Sequence, residues 1–147
     1  AGIRSRNPLN SYDSASKTIG IELVNWGWLT KNNEKYFTYL NQEYNVSTNR
    51  LVYDNMASWS PNKTLGAYRY WEDFPAEQIS TLSVLIDSLV EKYDVRKVSY
   101  SPNMLDYEED ESLLNNFNGI LGHSVITDDK WDPGPALKRR LEDLLNL

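Results

Sequence analysis

The sequence predicts one domain of the α/β class, in which α-helices are combined with short β-strands. Three observations support this prediction: the chain length, a long amphipathic segment and several short apolar runs. The chain has 147 residues, of which 40% are hydrophobic and 24% charged. This length favours a single domain with its own core over two domains. We find no internal repeat and no low-complexity segment, so residues 1–147 are treated as one unit.

The first half of the chain predicts strands and loops. Residues 4–17 are polar and rich in turn formers, which is typical of a loop. Residues 19–24 form a short apolar run with β-branched side chains, which predicts a buried strand. Within 26–72 the pattern is mixed: 36–44 fits a helix or a strand, and 50–53 fits a strand. We interpret 26–72 as an elaborated surface insertion.

The clearest helix is predicted over residues 74–93. Its apolar side chains recur at spacings of three and four, which gives one face that can pack against a core. These residues are Ile79, Leu82, Leu85, Ile86, Leu89, Val90 and Tyr93. Asp73 is the predicted N-cap, and Pro75 fits the first turn. Residues 95–100 then predict a further strand.

The last third of the chain predicts one more helix, which starts at Pro135. Its expected buried face consists of Leu137, Leu141, Leu144 and Leu145. The acidic run 106–111 is interpreted as a solvated loop or helix face, because runs of charge usually have that role.

Composition excludes several classes of function. The net charge of −6 argues against nucleic acid as a partner, because phosphates favour a basic surface. No apolar run approaches the ~20 residues that span a bilayer. The chain has no cysteine, so a metal would have to be bound by histidine and carboxylate side chains. Five Trp and ten Tyr suit a groove that stacks on sugars or peptides, and they suit a protein core equally well.

The only histidine lies in the most informative segment, residues 122–135. His123 and Asp132 offer the imidazole and carboxylate that a hydrolytic zinc site uses, and Lys130 can stabilise an oxyanion. Pro133 favours an extended Asp132 and thereby fixes the direction of this side chain. Alternatively, His123 is a structural histidine and Asp132 only caps the last helix.

One acid, Glu22, lies within the apolar run 19–24. If both faces of this strand are covered, desolvation favours the neutral carboxyl and suits Glu22 to act as a general base. If the strand is at an edge, Glu22 faces water. The residues alone leave both alternatives open.

These motifs resemble those of the zinc-dependent N-acetylmuramoyl-L-alanine amidases of type 2, which share their fold with peptidoglycan recognition proteins. The resemblance rests on residues 19–25, on the helix 74–93 with Gln78, on Gly122-His123-Ser124 and on residues 130–135. It implies a central mixed β-sheet flanked by helices, with a zinc cleft along one face. It also implies cleavage of the amide between N-acetylmuramic acid and L-alanine of the stem peptide by a zinc-activated water.

Individual roles follow from the same resemblance. His123 and Asp132 correspond to zinc ligands, Glu22 to the catalytic acid/base and Lys130 to the lysine that stabilises the oxyanion. The family's other histidine ligand is on an early strand, and Ala1-Gly2 resembles the residues just after it. We therefore expect an N-terminally incomplete domain, whose missing histidine comes from an upstream segment or a separate chain. The segments 26–72 and 101–118 are expected to be insertions.

The candidate substrate-binding residues are Asn25, Trp28 and Trp71, which lie in or beside the segment that follows the Glu22 motif. The expected partner is peptidoglycan or a muropeptide, in the cell wall, the periplasm or a secreted setting. The alternatives are a non-catalytic module that binds muropeptide and a structural remnant with no ligand. Retention of Glu22, Lys130 and Asp132 favours the enzyme, because a binding module needs no general base.

Overall fold

The computed structural model describes residues 18–46, 51–100 and 104–145. This part contains a five-stranded sheet and four helices, so the predicted α/β class is confirmed. The strands are β1 (Trp28–Asn32), β2 (Lys35–Thr38), β3 (Glu43–Tyr44), β4 (Val52–Trp59) and β5 (Tyr68–Glu72). The helices are α1 (Ala76–Tyr93), α2 (Glu111–Asn115), α3 (His123–Ile126) and α4 (Gly134–Leu145). None of these helices has the length and apolar character that crossing a membrane requires.

The sheet has the order β3-β2-β1-β5-β4, and each neighbouring pair is antiparallel. A mixed sheet would also contain a parallel pair of strands. Within the described residues, parallel pairing is found in the isolated bridge between Ser99 and Ile120. The strand predicted over 95–100 is therefore reduced to this bridge. Strands β1 to β5 all lie within 28–72, so the segment interpreted as an insertion forms the five-stranded sheet of the described residues.

Local chemistry explains the hairpin at the centre of this sheet. The loop between β1 and β2 has two residues, Asn33 and Glu34, with φ angles of 46° and 65°. Two successive positive φ angles define the tight turn whose twist matches that of antiparallel strands. The register that follows pairs Leu29 with Thr38, and both side chains are buried. Residues 36–44, which fitted a helix or a strand, therefore form β2, a turn and β3.

The two long predicted helices are confirmed as α1 and α4. In α1 the buried residues are Ile79, Leu82 and Ile86, as the apolar spacing predicted. However, Asp73 does not cap this helix. Its buried carboxylate instead accepts hydrogen bonds from Arg139 at 2.6 Å and Arg140 at 3.0 Å, which attach α4 to the end of the sheet. The core between α1, α4 and the sheet includes Trp71, Phe74, Leu105, Leu137 and Leu141.

The buried strand predicted over 19–24 was wrong for the described structure. Residues 18–27 belong to no strand or helix, and Ile19, Ile21 and Val24 are exposed. Within the described residues no strand lies beside this segment to complete a hydrogen-bonded ladder. Glu22 is exposed as well, which corresponds to the alternative in which it faces water.

Candidate functional site

The site is built around the first turn of α3, where His123 follows Gly122. A Cβ on Gly122 would lie 2.7 Å from Pro133 Cδ and 2.9 Å from the Met104 carbonyl oxygen. Glycine thus lets the segment that carries Asp132 pass close to His123. The backbone N–H of Ser124 also donates to the Asp132 carbonyl at 3.0 Å. The first turn of α3 and the segment that carries Asp132 are thereby fixed side by side.

Buried hydrogen bonds hold the first turn of α3 against residues 105–108. The Ser124 hydroxyl is fully buried and donates to the Leu105 carbonyl at 2.6 Å. The Glu108 N–H donates to the Val125 carbonyl at 3.0 Å, and the Glu108 carboxylate accepts from Tyr100 at 2.7 Å. Burial, together with this hydrogen bond, raises the pKa of Tyr100 to about 12. Part of the acidic run 106–111 is therefore a structural brace, whereas the sequence predicted a solvated loop or helix face.

The side chains of His123 and Asp132 converge at the surface. His123 Nδ1 lies 3.0 Å from Asp132 Oδ2, and the two side chains are 39% and 64% exposed. Both line a cleft of about 880 Å³, whose walls are mainly apolar and include side chains of α1, α4 and residues 119–121. An imidazole nitrogen and a carboxylate oxygen thus face a space that a substrate can enter.

Lys130 lies two residues before Asp132, on an exposed stretch. Trp131 between them is half-buried, and its ring packs edge-on against Tyr68 with centroids 5.2 Å apart. Because the intervening ring is held against the sheet, Lys130 and Asp132 are both left exposed.

Gly134 explains how the Asp132 segment joins α4. Its φ angle is +75°, and a Cβ there would lie 2.8 Å from two atoms of the Trp71 ring. We expect Gly134→Ala to lower the free energy of unfolding by about 2–4 kcal/mol, because backbone strain and overpacking add. Chemical denaturation measures this change. Gly66→Ala is the matched control, since a Cβ at Gly66 meets nothing within 4 Å; equal stability of both variants would contradict the prediction.

Glu22 reaches the same region through its neighbours. Ile21 and Leu23 line the cleft that His123 and Asp132 also line. Gln78 on α1 donates to the Val24 carbonyl at 3.3 Å and holds the segment from the helix side. The structure therefore brings the Glu22 segment to the cleft, with the Glu22 carboxylate in solvent.

The proposed substrate contacts at Asn25 and Trp71 do not match the structure. The Asn25 amide is used within the fold: Nδ2 donates to the Glu72 carbonyl at 3.1 Å, and Oδ1 accepts from the Gly27 N–H at 2.7 Å. Trp71 is 1% exposed, so its ring belongs to the core. Trp28 is half-buried and stacks on Tyr68 with centroids 4.0 Å apart. Trp28 thus keeps an accessible edge and remains a candidate.

Sequence reasoning missed Glu72, a buried carboxylate that anchors the Glu22 segment. Its side chain accepts hydrogen bonds from the Trp26 N–H and, at 3.1 Å, from the Tyr44 hydroxyl. Its own N–H donates to the Gly27 carbonyl at 2.9 Å. These bonds attach the turn that follows Glu22 to the last residue of β5. An acid in a Tyr-Arg-Tyr-Trp-Glu strand gave no sequence signal for this role, because its partners are 28 and 46 residues away.

The donor set for a metal is partial. His123 and Asp132 have the chemistry that zinc prefers, but a hydrolytic zinc site usually has three protein ligands. No group of three histidine, cysteine or acidic side chains that could hold a metal occurs in 18–46, 51–100 and 104–145. Among the described residues, His123 and Asp132 could therefore supply two of the protein ligands of a zinc site.

The structure thus combines an α/β fold with a paired imidazole and carboxylate beside a cleft, which is where a binding or active site is expected. A family model described as N-acetylmuramoyl-L-alanine amidase matches residues 5–135. The chain belongs to this amidase family. No curated protein and no solved structure gives a match to the chain.

Proposed function

We propose that this chain hydrolyses the amide between N-acetylmuramic acid and L-alanine in peptidoglycan, with Zn²⁺ as cofactor. The observation that carries the proposal is the 3.0 Å approach of His123 Nδ1 to Asp132 Oδ2 in the lining of the cleft. Membership of the amidase family supports the same reaction class. Such an enzyme acts where peptidoglycan is exposed, in the cell wall, the periplasm or outside the cell.

His123 and Asp132 would hold the metal as two of its protein ligands. A bound zinc ion lowers the pKa of water and polarises a carbonyl group. The third ligand would come from a carboxylate outside the described residues, or from a histidine supplied by an upstream segment or another chain. Because the described pair is solvent-exposed and incomplete, we expect this chain alone to bind zinc weakly.

Glu22 and Lys130 would carry the proton and charge chemistry. Glu22 takes the proton of the attacking water and returns it to the amine of L-alanine as the C–N bond breaks. Lys130 places an ammonium group near the carbonyl oxygen as negative charge develops on it. The turn that Glu72 anchors fixes the segment on which Glu22 lies, so Glu72 is a positioning residue in this scheme.

The proposal is tested by zinc titration followed by an assay on a soluble N-acetylmuramoyl peptide. At zinc concentrations that saturate the chain, we expect release of the free stem peptide, detected as a new L-alanine amine. His123→Ala should abolish both the zinc heat in calorimetry and the release. A chain that binds the muropeptide without cleaving it at any zinc concentration would instead be a binding module.

A further inference from the structure

The ring of Trp131, which lies between Lys130 and Asp132 in the chain, contacts a group of aromatic rings on the sheet. The centroid distances from the Trp131 ring are 5.2 Å to Tyr68, 6.2 Å to Trp59, 6.4 Å to Trp71 and 6.5 Å to Trp28. The two shortest contacts are edge-on, an arrangement that the charge distribution of aromatic rings favours. The four partners belong to three strands, β1, β4 and β5, so this one side chain connects the site segment to most of the sheet.

The buried ring of Trp71 attaches the chain on both sides of Asp132. Trp131, just before Asp132, contacts this ring with centroids 6.4 Å apart. Gly134, two residues after Asp132, lies so close that a Cβ there would be 2.8 Å from two atoms of the same ring. Trp71 is 1% exposed and is part of the core. Asp132 and Pro133 therefore form a short stretch between two points that are attached to one core ring.

The other contacts of this stretch are with the start of α3. The Asp132 carbonyl oxygen accepts a hydrogen bond from the Ser124 N–H at 3.0 Å, and Pro133 packs closely against Gly122. Both contacts involve the backbone or the proline ring, and neither uses the Asp132 carboxylate. The direction of the carboxylate therefore depends on a backbone that α3 holds on one side and the aromatic rings hold on the other.

Lys130 also lies between two points of attachment. On its N-terminal side, Asn62 Nδ2 donates to the Asp128 carbonyl oxygen. The Asn62 amide is itself fixed, because its Oδ1 accepts from the Leu65 N–H at 3.1 Å. On the C-terminal side, Trp131 holds the chain against the sheet. Lys130 is exposed between these points, so a shift of Trp131 would move the ammonium group as well.

We propose that Trp131 is a positioning residue, which holds Asp132 and Lys130 in the places that the hydrolytic site requires. The inference rests on the proposed function, because that function makes Asp132 a metal ligand and Lys130 the group that stabilises the oxyanion. Side chains of a reactive site must be held within about 0.5 Å of their productive geometry, and packing of their neighbours achieves this. Trp131 supplies such packing to the residue on each side of it.

Hydrogen exchange of single amides, followed by NMR, tests the inference without substrate or metal. The probe is the Ser124 N–H, whose bond to the Asp132 carbonyl reports whether the segment stays in place. Trp131→Leu removes the ring, and Ser124 should then exchange about tenfold faster, the scale expected for loss of aromatic contacts. Trp131→Phe keeps an edge-on ring and should change the rate by less than about twofold.

Two controls separate positioning from a general loss of stability. The Ile120 N–H donates to the Val98 carbonyl at 2.8 Å, and its exchange rate should be unchanged in Trp131→Leu. Ile79→Ala removes a buried side chain from the first turn of α1, and it should change the Ser124 and Ile120 rates by the same factor.

A second variant covers the case in which Trp131→Leu does not fold. Tyr68→Leu removes the nearest partner of the Trp131 ring and leaves Trp131 in place. It should accelerate Ser124 exchange in the same selective way, with Ile120 again unchanged.

Kinetics on the soluble N-acetylmuramoyl peptide measures the consequence for the reaction. Trp131→Leu should lower kcat by about 10²-fold with KM nearly unchanged, because a misplacement of about 1 Å has that effect on a reacting group. Trp131→Phe should restore most of the rate. Combined with Lys130→Met, Trp131→Leu should cost less than it does alone, since residues that act through one another are not additive.

Three outcomes would overturn the inference: a Ser124 amide that exchanges freely in the unaltered chain, equal acceleration of Ser124 and Ile120 by Trp131→Leu, or hydrolysis by Trp131→Leu at the unaltered rate. Failure of the proposed function is seen separately. If Ser124 responds selectively while the unaltered chain cleaves no amide at saturating zinc, the proposed function is wrong, and Trp131 still positions Asp132.

Discussion

Glu22→Gln should lower kcat for muramoyl-amide hydrolysis by about 10²–10⁴-fold, with substrate affinity largely retained. The amide side chain keeps the size of the carboxylate but cannot accept the proton of the attacking water. Because Glu22 is exposed on a segment outside the regular elements, the substitution should leave the fold intact. Steady-state kinetics on the soluble N-acetylmuramoyl peptide measures the effect, and circular dichroism checks the fold.

Glu91→Gln provides the matched control, because Glu91 is an exposed acid on α1. It should leave kcat unchanged. A second check is direct binding of the intact substrate to Glu22→Gln, which should equal binding to the unaltered chain. A loss that is confined to KM, with kcat unchanged, would show that Glu22 contacts the substrate and does not transfer a proton.

Lys130→Met should lower kcat by about 10²–10³-fold, which corresponds to about 2.7–4 kcal/mol of lost transition-state stabilisation. Methionine keeps the apolar stem of the side chain and removes the ammonium group. Lys130 and Asp132 are both exposed on either side of Trp131, whose ring packs against the sheet, so the ammonium is available to a substrate at the site. Single-turnover kinetics at saturating zinc measures the effect on the chemical step.

Zinc content separates this role from a structural one. We expect Lys130→Met to retain the zinc affinity of the unaltered chain, since lysine is not a ligand in the proposed site. Lys92→Met, at the last turn of α1, is the matched control and should have no effect on kcat. Unchanged hydrolysis by Lys130→Met would contradict the proposed role. Lys130 would then be an ordinary solvated surface charge, of the kind that contributes little to stability.

Glu72 anchors the turn that joins the Glu22 segment to β1. Its buried carboxylate bonds to Tyr44 and to the Trp26 N–H, while its backbone bonds to Asn25 and Gly27. Residues 25–27 join the Glu22 segment to β1, so the bonds of Glu72 fix the point at which the chain enters the sheet. The segment 26–72, interpreted as an insertion that carries substrate-binding residues, thus also supplies the strand end that holds the turn after the Glu22 segment.

The sequence by itself determined the features that depend on local order. The spacing of Ile79, Leu82 and Ile86 identified α1, and Pro135 marked the start of α4 within one residue. The short interval between His123 and Asp132 predicted that imidazole and carboxylate act together, and they lie 3.0 Å apart. Helical periodicity and a short loop allow few alternative local structures. These features could therefore be inferred without knowing which distant residues pack against them.

The tertiary structure decided what depends on partners distant in sequence. Apart from the β1–β2 hairpin, whose register follows from its two-residue turn, the strands pair through registers that no local pattern encodes, and a segment interpreted as an insertion forms the sheet. Burial separated Trp71, which is core, from Trp28 and Tyr39, which remain accessible. A strand's role depends on which strand lies beside it and which face is covered, and these are set only when the whole chain packs.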